Sequence, residues 1–390
     1  MSDSSSTTPV SERDFPHAML REIYEQPEAI RRTLALYVSR GAEGLELNPE
    51  FFSPLAAWGN PHGEVLIAAS GSSRHSGLAG ETLLEDQCGL AVDVEYASEY
   101  SLRGGNSKDP RNPSVIVLSQ SGETSDTLAA LREARRRGQK TLAITNVEDS
   151  TMAREADLSM PLGAGREKAI PATKSFTCQL TVLALLGLYE SVALNRLYAS
   201  PLETRLSELE AIPGALAAQI PAWEEQTAKL AKKYRGAATF LYLGRGIHYA
   251  IAREGALKLK EASYIHAEGY PTGELKHGPN ALVSEQTPLV VLATVDYTAE
   301  GSVLRYEKTL QLLSDMKQQG ARVIALANTG DIEVASLVTD CIFVDPAPEH
   351  LLPITEVVPL QLFAYFMALE HGVNVDHPRN LAKAVVEKTA

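Results

Sequence analysis

The sequence predicts an α/β protein with two parallel-sheet domains in tandem, and three observations carry that expectation. Short apolar runs alternate with helix-forming stretches, glycines punctuate the turns, and the order of these pieces recurs about 174 residues further on, from Val115 to Leu289. Alternating strand and helix with Gly between them is the pattern of right-handed βαβ units around a parallel sheet. Recurrence at a fixed offset marks a duplicated unit. At 390 residues the chain exceeds what a single core usually serves, and 44% hydrophobic residues suffice for two.

The elements follow in order. Residues 1–17 are expected to be a flexible leader, polar and serine-rich, without the basic start and apolar centre of a signal peptide. A helical lead-in over 19–39 precedes the first unit. There the apolar run 65–69 leads into Ser70, Gly71, Ser72 and Ser73 and then a helix. The run 115–118 is followed by a helix, Gly138, and a strand at 141–145 ending at Asn146. A helical connector over 201–233 is expected to be broken by Pro213 and Pro221. In the second unit, 240–243 leads into Gly244, Arg245 and Gly246, with a helix over 252–264. The run 289–292 then precedes a helix, Gly320 and a strand at 322–327 ending at Asn328. An apolar helix over 359–370, the irregular HGVNVDHPRN and a last short helix holding Lys383 complete the chain. The expected divisions are a leader to 17, a first domain over 18–210, a second over 211–370, and a tail over 371–390.

Composition narrows the function. With 36 Lys and Arg against 49 Asp and Glu, the net charge is -13, which argues against general nucleic-acid binding. Three scattered cysteines, Cys88, Cys178 and Cys341, form neither a zinc pattern nor a disulfide framework, and no uninterrupted run of about 18 apolar residues suggests a membrane span. A cytoplasmic protein is expected, with no metal and no cofactor.

Two segments carry chemistry. The block EGALKLKEASYIHAEGYPTGELKHGP, from Glu254 to Pro279, sets Glu254, Lys258 and Glu261 at i, i+4 and i+7 on one helix face, with His277 in the loop behind. Carboxylate, lysine and histidine together can move protons on a carbonyl compound. The same spacing also occurs in ordinary solvated ion pairs. The second segment is SQSGET, where Ser119, Gln120, Ser121 and Thr124 stand between a buried strand and a helix start. Helix N-terminal amides with these side chains can surround a phosphate, and Gly122 allows close approach. A simple helix cap needs only one or two such residues. Neither a nucleotide P-loop nor a dinucleotide fingerprint is present in this segment.

Together with REIYEQPEAI from Arg21, ATKSFTCQLTVL from Ala172, LGRG from Leu243 and VDHPRNLAK from Val375, these blocks resemble the sugar-isomerase (SIS) domain family. Within it the chain is most similar to the isomerase portion of glucosamine-6-phosphate synthases. The resemblance implies two tandem SIS domains, each a five-stranded parallel sheet flanked by helices in a flavodoxin-like, three-layer arrangement. It implies that Ser73, Ser119, Gln120, Ser121 and Thr124 contact a sugar phosphate, with Arg379 and Ala382 on the C-terminal loop nearby. It implies Glu261 as the base between C1 and C2, Lys258 as stabiliser of the enolate-like oxygen, Lys383 as a Schiff-base lysine, and His277 as the ring-opening group. In the family that histidine comes from the partner of a homodimer. Lys383 has the competing reading of a solvated terminal lysine, and His277 that of a loop histidine bonded to its own backbone.

The synthases carry a glutaminase domain whose cysteine follows the initiator methionine, whereas residue 2 here is Ser. The expectation is therefore a glucosamine-6-phosphate deaminase that releases ammonia and fructose 6-phosphate, reversible with free ammonia. The alternatives are an isomerase and aminotransferase subunit fed by a separate glutaminase, a deglycase or isomerase of another phosphosugar, and a non-catalytic phosphosugar sensor. Two departures from the family pattern concern the sugar contacts. Ile170-Pro-Ala-Thr-Lys174 stands where Val-Ala-Ser-Thr-Lys is common, and Arg74 and His75 stand where Tyr and Asn are usual.

Overall fold

In the computed structural model the described residues are 13–41, 44–58, 64–103, 112–196 and 202–383. They form two five-stranded sheets, parallel throughout, and a small antiparallel hairpin of Val38–Gly41 with Gly44–Leu47. Across the first sheet the strands run Ala91–Tyr96, Glu64–Ala69, Ser114–Ser119, Thr141–Thr145, Leu158–Pro161. Across the second they run His266–Pro271, Thr239–Gly244, Leu289–Leu292, Val323–Asn328, Asp340–Val344. Counted along the chain, both orders are 2-1-3-4-5, the flavodoxin-like order. Its ligand crevice lies past the carboxyl ends of the first and third strands.

The apolar runs form strands because both faces of each sheet are covered. Ser114–Ser119 is buried at every position, as parallel strands under two helix layers must be. Alternation then sends successive side chains to different cores. Ile67, Ile116 and Ile144 from the first sheet and Phe240, Tyr242 and Val290 from the second meet in one large shared core. Leu66, Val115 and Val117 build a separate outer core, and Leu241, Leu243 and Val291 another. The two sheets are thereby fused through helices that lie between them.

Those central helices explain three departures from the sequence expectation. Leu202–Tyr234 is one unbroken helix although Pro213 and Pro221 lie inside it. Its buried face, including Leu206, Leu216, Trp223 and Leu230, packs beside the apolar helix Leu352–Glu370, and that burial outweighs the local cost of the prolines. The helix Leu352–Glu370 likewise starts before the expected residue and carries Pro359 within it. It and Lys174–Ala193 are long and apolar enough to cross a membrane, but 89% and 83% of their apolar windows are buried inside the protein. Core helices of this kind are apolar all round.

The lead-in divides into helices Ala18–Tyr24 and Gln26–Tyr37, and Val38 and Ser39 join the hairpin instead of continuing the helix. Residues 381–383 are irregular where a short helix was expected, and 384–390 lie outside the described residues, as do 1–12 of the expected leader. The tail is nevertheless fixed at one point. Asp376 accepts hydrogen bonds from Ala18 N and Met19 N, each 2.8 Å, at the start of the first helix.

Candidate active site

The helix Ile247–Ser263 positions three of the candidate residues. It packs against both Leu352–Glu370 and the first-domain helix Gly71–Cys88, and Gly255 permits the approach, since a Cβ there would stand 2.8 Å from Leu360 Cδ1. The stripe of Glu254, Lys258 and Glu261 runs from the interior to the rim. Glu254 and Lys258 are fully buried, while the Glu261 side chain keeps 23% of its exposure. Lys258 Nζ lies 2.5 Å from Glu261 Oε2 and 3.4 Å from Glu254 Oε1. This is no solvated surface pair.

Burial alone would neutralise these groups. At Glu254 burial pushes the carboxyl up, but Lys258, His75 and Ser72 together hold it below the usual range. At Lys258 burial pushes the ammonium down, and the Glu261 and Glu254 carboxylates more than reverse it. The result is a row of opposite charges with its cation sealed from water. Glu254 also crosses between domains. Its Oε1 accepts from Ser72 Oγ at 2.8 Å, and its Oε2 lies 2.8 Å from His75 Nδ1.

The crevice of the first sheet carries the hydroxyls. Ser119 Oγ and Thr124 Oγ1 are 3.2 Å apart, and Ser121 Oγ is 3.5 Å from the same Thr124 oxygen. Gly122 N donates to Ser119 Oγ at 3.2 Å and Glu123 N to Ser121 Oγ at 3.1 Å, so the loop curls around its own hydroxyls. Gly122 has φ +66°, and a Cβ there would come within 2.1 Å of Ser150 Oγ. Thr124 occupies the N-cap of helix Ser125–Arg136 without a side-chain capping bond. The loop is therefore more than a cap, and its hydroxyls stand at the positive end of the helix. Gln120 is half-buried beside them. In the first turn of helix Gly71–Cys88, which follows the neighbouring strand, Ser73 Oγ accepts from Gln179 Nε2 at 2.9 Å. Because strands Glu64–Ala69 and Ser114–Ser119 pair, Ser72, Ser73 and the 119–124 loop border one crevice, and the Ser72 to Glu254 bond ties the charged row to it.

The second sheet has lost this cradle. At the matching place, Asp296 Oδ1 accepts from Thr298 N at 2.9 Å and from Thr298 Oγ1 at 2.6 Å. An internal carboxylate there takes the bonds that an outside anion would need.

Lys383 comes from the tail to a buried anchor. Its Nζ donates to Glu167 Oε2 at 2.7 Å and to Ala169 O at 2.5 Å. Glu167 is completely enclosed and also accepts from Thr173 N, Ser175 N and Ser175 Oγ. Burial pushes its carboxyl up, but Lys383 and those donors hold it below the ordinary range. Glu167 also adds to the field at Lys258, so tail and helix share one electrostatic neighbourhood. Lys383 is thus ion-paired, which departs from the reading of a free terminal lysine. Arg379 is exposed, its N–H donating to Tyr264 Oη at 2.7 Å and its guanidinium 4.2 Å from the Tyr264 ring centre. Ala382 is exposed beside Lys383.

His277 is not joined to this group within one chain. It ends a 3-10 helix, Thr272–His277, instead of lying in an open loop, is exposed, and its side chain has no hydrogen bond among the described residues. The sequence placed Glu254 on the charged stripe and Ser72 in a hydroxyl-rich turn, but it gave no role to Gln179 or Glu167. Helical spacing found Glu254, but Glu167 reaches Lys383 across the fold and leaves no local signal. No three His, Cys, Asp or Glu side chains group to hold a metal among the described residues.

Fold and site define a tandem flavodoxin-like α/β protein with a hydroxyl-lined crevice and a buried Lys–Glu row beside it. The chain belongs to the SIS domain family, whose model matches residues 60–189 and 233–371. It is 41% identical over 373 residues to glutamine–fructose-6-phosphate aminotransferase [isomerizing] of Chlorobaculum tepidum, covering 95% of this chain and 58% of that protein. The same enzyme of Thermus thermophilus is 41% identical over 378 residues, with 59% of its length covered. The chain thus spans about three-fifths of these curated relatives. Among solved structures, the C-terminal domain of glucosamine-fructose-6-phosphate aminotransferase from Francisella tularensis superposes with a TM-score of 0.84 at 31% identity, covering 95% of this chain and all of that one. A glucosamine-6-phosphate deaminase from Thermotoga maritima shares the fold, with a TM-score of 0.67 at 24% identity over 95% of this chain and all of that one.

Proposed function

We propose that this chain catalyses the isomerising step that links fructose 6-phosphate and ammonia with glucosamine 6-phosphate. The observation that carries the reading is the Lys258–Glu261 pair, an ammonium held charged in the interior with its partner carboxylate at the rim of an anion crevice. The aminotransferase relatives favour formation of the amino sugar over the deaminase reading, and deamination is the same sequence run backward.

In this scheme Ser119, Ser121, Thr124, Gln120 and the helix amides hold the phosphate, and Ser73 holds the sugar. Lys383 leaves Glu167, loses its proton and adds to C2 of the open-chain ketose, expelling water as a Schiff base forms. Ammonia displaces the lysine and leaves a C2 imine. Glu261 removes a C1 proton, giving an enaminol, and returns the proton to C2. The C1 hydroxyl becomes the aldehyde carbonyl of glucosamine 6-phosphate as its proton passes through solvent to the nitrogen on C2, which ends as the amine. Lys258 offsets the negative charge that develops on O1 during this transfer. Ring opening and closure fall to His277 supplied by the partner of a homodimer, because it is unattached to the row within its own chain.

The test supplies purified protein with fructose 6-phosphate and an ammonium salt and follows glucosamine 6-phosphate. It then supplies glucosamine 6-phosphate and follows ammonia. Amino-sugar formation that depends on Glu261 supports the reading. A folded protein that binds both sugars and converts neither is a sensor, and the proposal fails.

A further inference from the structure

Arg74 and Arg253 both reach Tyr96 across the domain boundary, and among the described residues no carboxylate pairs with either. Arg74 belongs to the first turn of helix Gly71–Cys88, and its guanidinium lies 3.8 Å from the Tyr96 ring centre. One nitrogen, Nη2, reaches Val94 O at 3.4 Å, while Nε and Nη1 are buried without a hydrogen-bond partner among the described residues. Arg253, on helix Ile247–Ser263, donates to two phenol oxygens, Nη1 to Tyr249 at 3.1 Å and Nη2 to Tyr96 at 3.3 Å. Among the described residues neither arginine belongs to an ion pair. Glu81, two turns along from Arg74, influences it electrostatically but stands beyond ion-pair distance.

Two neighbouring guanidiniums repel, and buried donors left unpaired are costly. Burial and the Arg253 charge both press the Arg74 guanidinium below its ordinary value, whereas Tyr249 and Tyr96 hold Arg253 above its own. In a chain of net charge -13 such an arrangement is not a general basic surface. Tyr96 is 45% exposed, so the place opens to solvent. We propose that Arg74 and Arg253 form a second oxyanion site, which takes a phosphate group and stands apart from the hydroxyl cradle at 119–124. Forked guanidinium donors match a tetrahedral oxyanion, and Tyr96 and Tyr249 supply hydroxyls beside it.

The strand order separates the two sites. Ala91–Tyr96 flanks Glu64–Ala69 on one side, and Ser114–Ser119 flanks it on the other. The arginines nevertheless adjoin the crevice residues in sequence, Arg74 following Ser73 and Arg253 preceding Glu254. A phosphate seated here bridges helix Ile247–Ser263, which carries the charged row, and helix Gly71–Cys88, whose Ser72 and His75 bind Glu254. The assignment does not depend on the reaction proposed above.

The experiment counts phosphate by titration calorimetry with inorganic phosphate at low ionic strength, using the full chain. Wild type takes two phosphates per chain. The pair Arg74→Gln with Arg253→Gln takes one, as does the cradle pair Ser121→Ala with Thr124→Val, and the combined variant takes none. Arg74→Lys with Arg253→Lys keeps the charge but loses the fork, and its affinity falls roughly tenfold. If the arginine-to-glutamine protein is folded and binds as many phosphates as wild type with the same affinity, the proposal is overturned. If wild type binds one phosphate and the glutamine pair abolishes it, the arginine site stands and the cradle assignment falls. Fructose 6-phosphate competing in the cradle variant shows whether the group is taken as part of a sugar. Its failure to compete shows that free phosphate is the ligand.

Discussion

Lys258 Nζ and Glu261 Oε2 stand 2.5 Å apart on one helix, the lysine wholly enclosed and the carboxylate at the rim. One group is therefore fixed as a cation while the other can reach a substrate. Removing the carboxylate's basicity without its shape isolates that role. Glu261→Gln is expected to lower kcat by roughly 10²–10⁴-fold, the usual range for a positioned general base. Calorimetric affinity for fructose 6-phosphate should change little. A matching loss of affinity would instead make Glu261 a binding residue.

The row is also a structural commitment. Lys258→Met leaves Glu254 buried with only Ser72 and His75 as partners, and breaking such a pair costs about 3–5 kcal/mol. Urea unfolding should show that loss. The double variant Lys258→Met with Glu254→Leu should recover much of it, because no lone charge remains. A stability equal to wild type in the single variant would mean the pair is hydrated.

Gly122 tests the cradle. Its positive φ and the closeness of Ser150 leave no room for a methyl group. Gly122→Ala should reorganise the 119–124 loop and weaken fructose 6-phosphate binding roughly tenfold or more, equivalent to about 1.4 kcal/mol. Unchanged affinity would move the phosphate elsewhere.

A pH dependence follows from His248, buried in the second domain with Nδ1 2.8 Å from Glu356 and Nε2 3.4 Å from Glu349. Burial lowers its pKa, but the two carboxylates prevail and raise it from 6.5 to about 9. A raised folded value means that the folded state holds its proton more tightly than the unfolded chain. The stabilisation is full below pH 6.5 and is lost as pH rises through about 9. His248→Gln should flatten the fall in unfolding free energy between those limits. An equal slope in wild type and variant would assign the effect to other groups.

Much of the fold was legible because duplication repeats a pattern. The strands at 115–118 and 289–292 announce themselves by length and uniform burial, and Gly138 and Gly320 close their helices in matching left-handed turns. Pro213 and Pro221 misled because a local rule saw only lost backbone bonds, whereas the buried face of that helix decided its course. The site was legible in parts. Glu254, Lys258 and Glu261 follow helical spacing, but that spacing is the same for a solvated pair. What makes this one interior is Ser72 and His75 arriving from the other domain. Glu167 could not be read at all, since its partner Lys383 is distant in sequence and met only through the docked tail.

The central claim is that Glu261 carries a proton between C1 and C2 while Lys258 steadies O1. It is tested most directly by incubating the protein with fructose 6-phosphate and ammonium in deuterated water and following the sugar by NMR. Glucosamine 6-phosphate with deuterium at C2 in part of the product is expected from the wild type, and none from Glu261→Gln. Amino sugar formed equally fast by the Glu261→Gln protein would contradict it.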